Sequence, residues 1–249
     1  MLEQLKRAAG SSVLETHPHY RTAIGVFGVS LPPILMLASW LGFLETRELQ
    51  NSISGYYWAG MRDWFVGTLF VIGVFLFFYQ YRPRNDGDQA RTQITAVRNG
   101  WADAWLGKIA GICAVLVALL PTTPPASTTQ PPTIGVIHGA AAGILFLCLA
   151  LFPLLLFSQS KKRSATYRFY GWAMITAMSL VVVHQFAPEG FRTAIASWKP
   201  ILFLETFLIM IFGVSWFEKG RELAAPELDT DQVNTTIIAQ PSRQAGRFS

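Results

Sequence analysis

Nine side chains of types that could do chemistry stand within or beside the apolar runs of this sequence as candidates, and six of them crowd into one stretch. The segment 51-NSISGYYWAGMRDWFVG-67 carries Ser52, Ser54, Tyr56, Tyr57, Arg62 and Asp63 and runs directly into an apolar run. His138 ends 134-IGVIH-138, Glu205 stands inside 201-ILFLETFLIMIF-212, and His184 lies in 180-LVVVHQF-186. These types suit hydrolysis. A carboxylate, Asp63 or Glu205, would act as general base for water, with His138 as ligand or proton shuttle and Arg62 as headgroup or oxyanion partner. Asp63, His138 and Glu205 are therefore the catalytic candidates. Ser52, Ser54, Tyr56, Tyr57 and Arg62 are the candidates for binding a polar substrate group. Asp63, His138, His184 and Glu205 together could also hold a divalent metal. No two of those four have i, i+3 or i, i+4 spacing, so only a shared depth would bring them together.

That depth is set by the elements around them. The chain has 249 residues, of which 51% are hydrophobic and 14% charged, against about 25% charged in soluble domains. A helix needs roughly 20 apolar residues to cross a bilayer. Six windows qualify, at about 22–43, 64–81, 104–121, 134–157, 167–187 and 199–217. The expected fold is all-α: a polytopic membrane bundle of six transmembrane helices. It has a cytoplasmic segment at 1–21, a membrane domain at 22–219 and a polar tail at 220–249. The tail is poor in aromatics and is expected to be disordered or only partly helical. The N-terminus is polar and mixed in charge and does not resemble a cleaved signal.

Orientation follows from loop charge. Lys6, Arg7, Arg21, Arg82, Arg84, Arg91, Arg98, Lys161, Lys162, Arg163, Arg168, Lys219, Arg221, Arg243 and Arg247 fall on one side. Only Arg47, Arg62, Arg192 and Lys199 fall on the other, and Lys108 lies within the third window, where it can snorkel. Both termini are thus expected in the cytoplasm, of a cell membrane. The basic residues flank spans and form no nucleic-acid patch. On this orientation Asp63, His138 and His184 sit near the outer ends of their helices. Glu205 lies about 9 Å in, at 1.5 Å per residue. Ionisable groups at such positions are usually paired or functional. Arg62–Asp63 would be the partner of Glu205 and His138. Ser52, Ser54 and Tyr56 would share one face of an extended loop, while Trp58 and Trp64 fit an interfacial aromatic belt.

Small residues indicate helix contacts. Gly107, Gly111, Ala114 and Ala118 in the third window and Gly135, Gly139 and Gly143 in the fourth suggest an antiparallel pair. Its connection, 121-PTTPPASTTQPPT-133, would be extended on the outer side. Pro32-Pro33 should kink the first helix or break its ladder. Cys113 and Cys148 lie in apolar runs and read as packing residues. The sequence has no Walker A, GxGxxG, HExxH or GxSxG signature.

The patterns SIS-x-YY and MRD-x-FVG, with 106-LGKIAGICAVLVALLPTTP-124, IGxxH at 134–138 and 200-PILFLETFLIMIFGVSWFEKG-220, resemble a family of bacterial six-span membrane proteins to which no reaction is assigned. The resemblance implies the six-span architecture, an inner-membrane location, and one family pattern containing Ser52, Ser54, Tyr56, Tyr57, Arg62, Asp63, His138 and Glu205. A more distant similarity is to intramembrane hydrolases of the ceramidase and adiponectin-receptor type, which hold zinc with Ser, Asp and three His in seven spans. Six spans, no HxxxH in the last span and only two intramembrane histidines depart from that pattern and count against zinc.

Two function classes follow. One is a pocket open to the outer leaflet that binds, and would hydrolyse, a lipid or other amphiphile. The other is a non-enzymatic scaffold or accessory protein whose polar layer clamps helices together. A small transporter is a third. Without a broken-helix repeat it has less behind it.

Overall fold

Glycine sets the closest helix crossing. In the computed structural model, α1 (Pro18–Trp40) lies against α7 (Pro200–Ala224). A Cβ built on Gly25 would fall 2.4 Å from the Phe217 backbone nitrogen, and one on Gly213 would fall 2.5 Å from that of Val29. The two backbones touch there because neither glycine has a side chain to hold them apart. α1 stays helical through Pro32 and Pro33. The prolines remove two N–H donors, yet of the expected kink or break the break does not occur: α1 is one helix.

The structure describes residues 18–42, 48–79, 89–123, 131–160 and 162–224, without the side chains of 18, 89–103 and 132. The segment 1–17, the tail from 225, residues 124–130 of the Pro/Thr loop, Arg47, Arg82 and Arg84 lie outside the described residues. After α1 come a 3-10 turn at Ser54–Trp58, α2 (Arg62–Phe77), α3 (Gln89–Leu119), α4 (Pro132–Leu151), α5 (Ser164–Phe186), the short α6 (Glu189–Ile195) and α7. All regular structure among the described residues is helical. Four helices are long and apolar enough to cross a bilayer, at His19–Trp40, Thr133–Gln159, Ser164–Phe186 and Pro200–Ala224; the apolar part of α3, Ala104–Leu119, is shorter. α2 has 16 residues.

α2 and α3 also meet at glycines. A Cβ on Gly111 would fall 2.6 Å from the Gly73 carbonyl oxygen, and one on Gly107 would fall 2.7 Å from that of Leu76. The glycine seam of α3 therefore faces α2, not α4. α3 and α4 do pack together, but Gly139 and Gly143 have nothing within 4 Å. α3 begins at Gln89, some 15 residues before the apolar window. Its polar first half forms helix from Gln, Ala and Arg, good helix formers that hydropathy does not register.

Two ends of the bundle can be told apart. At one, Trp216 is fully buried among Tyr79, Phe152 and Phe157, with ring centroids at 4.9, 5.0 and 5.3 Å. Beside it α4 widens into a π-helical turn at Phe152–Leu156, where Pro153 offers no N–H to the regular ladder. Arg21 stacks on Tyr79 and Lys219 on Tyr167. Glu222 accepts from Ser160 and, at 2.8 Å, from the Tyr167 hydroxyl, and pairs with Lys219 at 3.2 Å. The sequence reading counted Arg21 and Lys219 only as loop charges, yet both are buried. The Lys219–Glu222 spacing of i, i+3 was the signal available. The opposite end holds the candidate site.

Candidate functional site

Residues 48–61 fold back over the mouth of the bundle as a lid. Ser52 Oγ accepts the Gly55 N–H at 2.9 Å, which turns the chain into the 3-10 helix Ser54–Trp58. The loop is therefore not extended, and Ser52, Ser54 and Tyr56 do not share a face. Gly60, at φ 76°, makes the turn into α2, a conformation that costs other residues strain. Ile53, Tyr56 and Tyr57 are buried.

The lid is tied to helices on several sides. Tyr56 Oη lies 3.1 Å from Ser39 Oγ on α1. Trp58 Nε1 donates to the Thr122 carbonyl at 3.2 Å. Lys199 Nζ donates to the Leu49 carbonyl. Glu205, on the inward stripe of α7 that includes Leu202, Leu208 and Phe212, accepts the Ile53 N–H at 2.6 Å. The Ser54 N–H faces the same carboxylate. His138 on α4 is buried. Its Nδ1 lies 2.7 Å from the Leu120 carbonyl and its Nε2 lies 3.0 Å from Ser54 Oγ. A carbonyl can only accept, so Nδ1 carries the proton, and in the neutral ring Nε2 accepts from the Ser54 hydroxyl.

Under the lid lies a cavity of about 30 Å³. That is room for about two waters, at roughly 10–15 Å³ each. Its walls are apolar except for Ser54 and Glu205. An amphiphile would need the lid to move.

Of the residues singled out from the sequence, Ser54, His138 and Glu205 come together, with Tyr56 close in the same lid. Arg62 and Asp63 do not join them. Both are exposed at the start of α2, and the Arg62 guanidinium stacks on the Tyr57 ring at 4.6 Å. The expected pairing of Arg62–Asp63 with Glu205 and His138 is absent. In its place backbone N–H groups meet the carboxylate, and a hydroxyl and a carbonyl meet the imidazole. His184 sits in the last turn of α5, and its Nδ1 is buried without a hydrogen-bond partner among the described residues. Among the described residues no three His, Cys, Asp or Glu side chains gather as a metal site. Cys113 and Cys148 are buried free thiols. Ser39, Trp58, Thr122 and Lys199 were missed as site residues. Trp58 had been assigned to the aromatic belt, although its N–H needs a partner wherever it is half-buried.

A chain that is all-helical among its described residues, with four apolar helices of spanning length and a polar layer within the bundle, is an integral membrane protein. The chain belongs to the family described as "protein of unknown function (DUF998)", whose model matches residues 26–217 and so takes in the lid, His138 and Glu205. No curated protein and no solved structure matches it, and the likeness to ceramidase-type hydrolases finds no support.

Proposed function

We propose that this is a six-span protein of a cell membrane, with both termini cytoplasmic. Its outer polar layer is a structural clamp, and the chain serves as a non-enzymatic membrane scaffold or accessory protein. One observation carries the reading: the polar groups of the layer are taken up by the protein's own lid. Glu205 serves Ile53 and Ser54, both His138 nitrogens are engaged, and Tyr56 pairs with Ser39. The six-span orientation is supported by basic residues at the Trp216 end, and the span number by four helices of spanning length together with the shorter α2 and the apolar part of α3. Membrane lipids are its surroundings.

Hydrogen exchange of the detergent-solubilised protein tests the clamp. Amides of residues 53–58 should exchange as slowly as the neighbouring turns of α4 and α7. Exchange of these amides at the rate of an open loop overturns the fixed lid.

The hydrolytic pocket is kept as a second reading by one geometry. Ser54 Oγ stands 3.0 Å from His138 Nε2, and Leu120 orients the ring from its other side. This is the spacing of a nucleophile and its base. With the cavity beside it, a hydrolysable lipid or amphiphile could be the substrate. A fluorophosphonate probe separates the two. The clamp expects no label that depends on Ser54, whereas labelling lost in Ser54→Ala establishes the pocket and removes the clamp reading.

A further inference from the structure

On the flank of the bundle, a second apolar feature faces outward. A groove of about 220 Å³ runs between α2 and α3, floored where Gly73 meets Gly111. Its walls are wholly apolar and include the exposed Phe77, Phe78, Ile112 and Leu116. Phe77 and Phe78 end α2 and stand edge to face, with centroids 5.2 Å apart. The groove therefore runs toward the end that carries Arg21, Arg163 and Lys219.

Lys108 is one helical turn before Ile112 on the same face of α3. At 100° per residue, Trp105, Lys108, Ile112, Val115 and Leu116 form a stripe about 100° wide. Helical side chains lean toward the helix N-terminus, which for α3 is the basic end. The lysine thus points out of the groove toward the membrane surface. Its ammonium lies over the Trp105 ring at 5.2 Å, and among the described residues no carboxylate pairs with it.

We infer that this groove and Lys108 form a binding site for one anionic glycerophospholipid of the leaflet at the basic end. One acyl chain lies against Gly73, Gly111 and Val115, and the headgroup phosphate meets Lys108. Apolar walls of this length suit a chain, and one unpaired cation at the rim suits one phosphate. The indole of Trp105 belongs at the same interfacial level. The inference needs the chain to sit in a membrane but does not depend on the role of the lid.

Native mass spectrometry of the full chain in detergent tests it, with dioleoyl-phosphatidylglycerol and dioleoyl-phosphatidylcholine as probes. One phosphatidylglycerol should be retained in preference to phosphatidylcholine. Lys108→Gln should weaken that binding about fivefold, the equivalent of roughly 1 kcal/mol for one basic residue at an anionic surface, and Lys108→Arg should restore it. Val115→Trp, which fills the groove, should weaken both lipids. Millimolar inorganic phosphate should displace neither. Equal retention of the two lipids with no effect of Lys108→Gln overturns the proposal, and so does displacement by phosphate. Unchanged binding in Val115→Trp overturns the groove, and would leave the preference to a partner or to surface charge. Lys108 and Val115 are not fully buried, and melting of each variant confirms that the comparison is between folded proteins.

Discussion

Gly213→Leu should abolish the folded protein, and Gly213→Ala should lower its melting temperature clearly. The reason lies in the backbone. The first carbon of any side chain at 213 would sit 2.5 Å from the Val29 nitrogen and 2.8 Å from the Gly25 carbonyl oxygen. Neither atom can swing away as a flexible side chain can, so α1 and α7 must separate. That separation opens the packing around Leu31, Leu35, Leu208 and Phe212, all of them buried. Overpacking a tight core costs about 1–3 kcal/mol. A leucine wedged between two backbones belongs above that range, at about 5 kcal/mol, which is comparable to the stability of a whole domain. Gly139 supplies the control, since nothing lies within 4 Å of its Cβ position. Gly139→Leu should melt near the wild type. The measurement is thermal melting in detergent, followed by size-exclusion chromatography. A Gly213→Leu protein that elutes as a single peak and melts within a few degrees of wild type would show that the crossing is looser than described.

The same comparison shows why Gly139 and Gly143 of α4 misled, while Gly135 does meet Thr123 just past α3. Spacing of Gly135, Gly139 and Gly143 marks a smooth face but not what lies against it, and glycine is common in membrane helices generally. Four of the apolar windows, by contrast, were legible as helices of spanning length, because burying backbone in lipid demands a long uncharged helix. The polar first half of α3 was not, since its helix formers carry no hydropathy signal. Glu205 and His138 do meet the same lid, but a shared level along the bundle says nothing about direction around a helix. That second coordinate was present in the pattern. Phe65, Leu69, Ile72 and Leu76 form the inward stripe of α2, and Asp63, two residues before Phe65, is turned about 200° from it. Glu205 is three residues from Leu202 and from Leu208, on the stripe itself. The lid was the part that no periodicity could give. Its shape depends on Ser52 turning onto Gly55 and on partners that are 17 to 152 residues away in sequence.

Glu205→Ala should destabilise the protein by about 3 kcal/mol, and the loss should appear first in the lid. The carboxylate accepts the Ile53 N–H at 2.6 Å and faces that of Ser54. With the side chain removed, both donors point into a cavity walled by Leu31, Phe65 and Phe212. A buried donor left without a partner costs about 1–3 kcal/mol. The cavity has room for about two waters, so solvent entry would recover part of that cost. Glu205→Leu makes the sharper test. Replacing a buried charged group by an apolar one is often neutral or stabilising when its partner is replaced with it. Here the partners are backbone and cannot be replaced, so leucine should be no better than alanine. Glu205→Gln keeps one acceptor oxygen and should fall between wild type and alanine. The order of melting temperatures should be wild type, then glutamine, then alanine and leucine together. Hydrogen exchange should quicken at residues 53–58 before it quickens in α7. If Glu205→Leu melts at or above the wild-type temperature, the carboxylate is not what holds the lid. The burial of Ile53, Tyr56 and Tyr57 would then have to hold it alone.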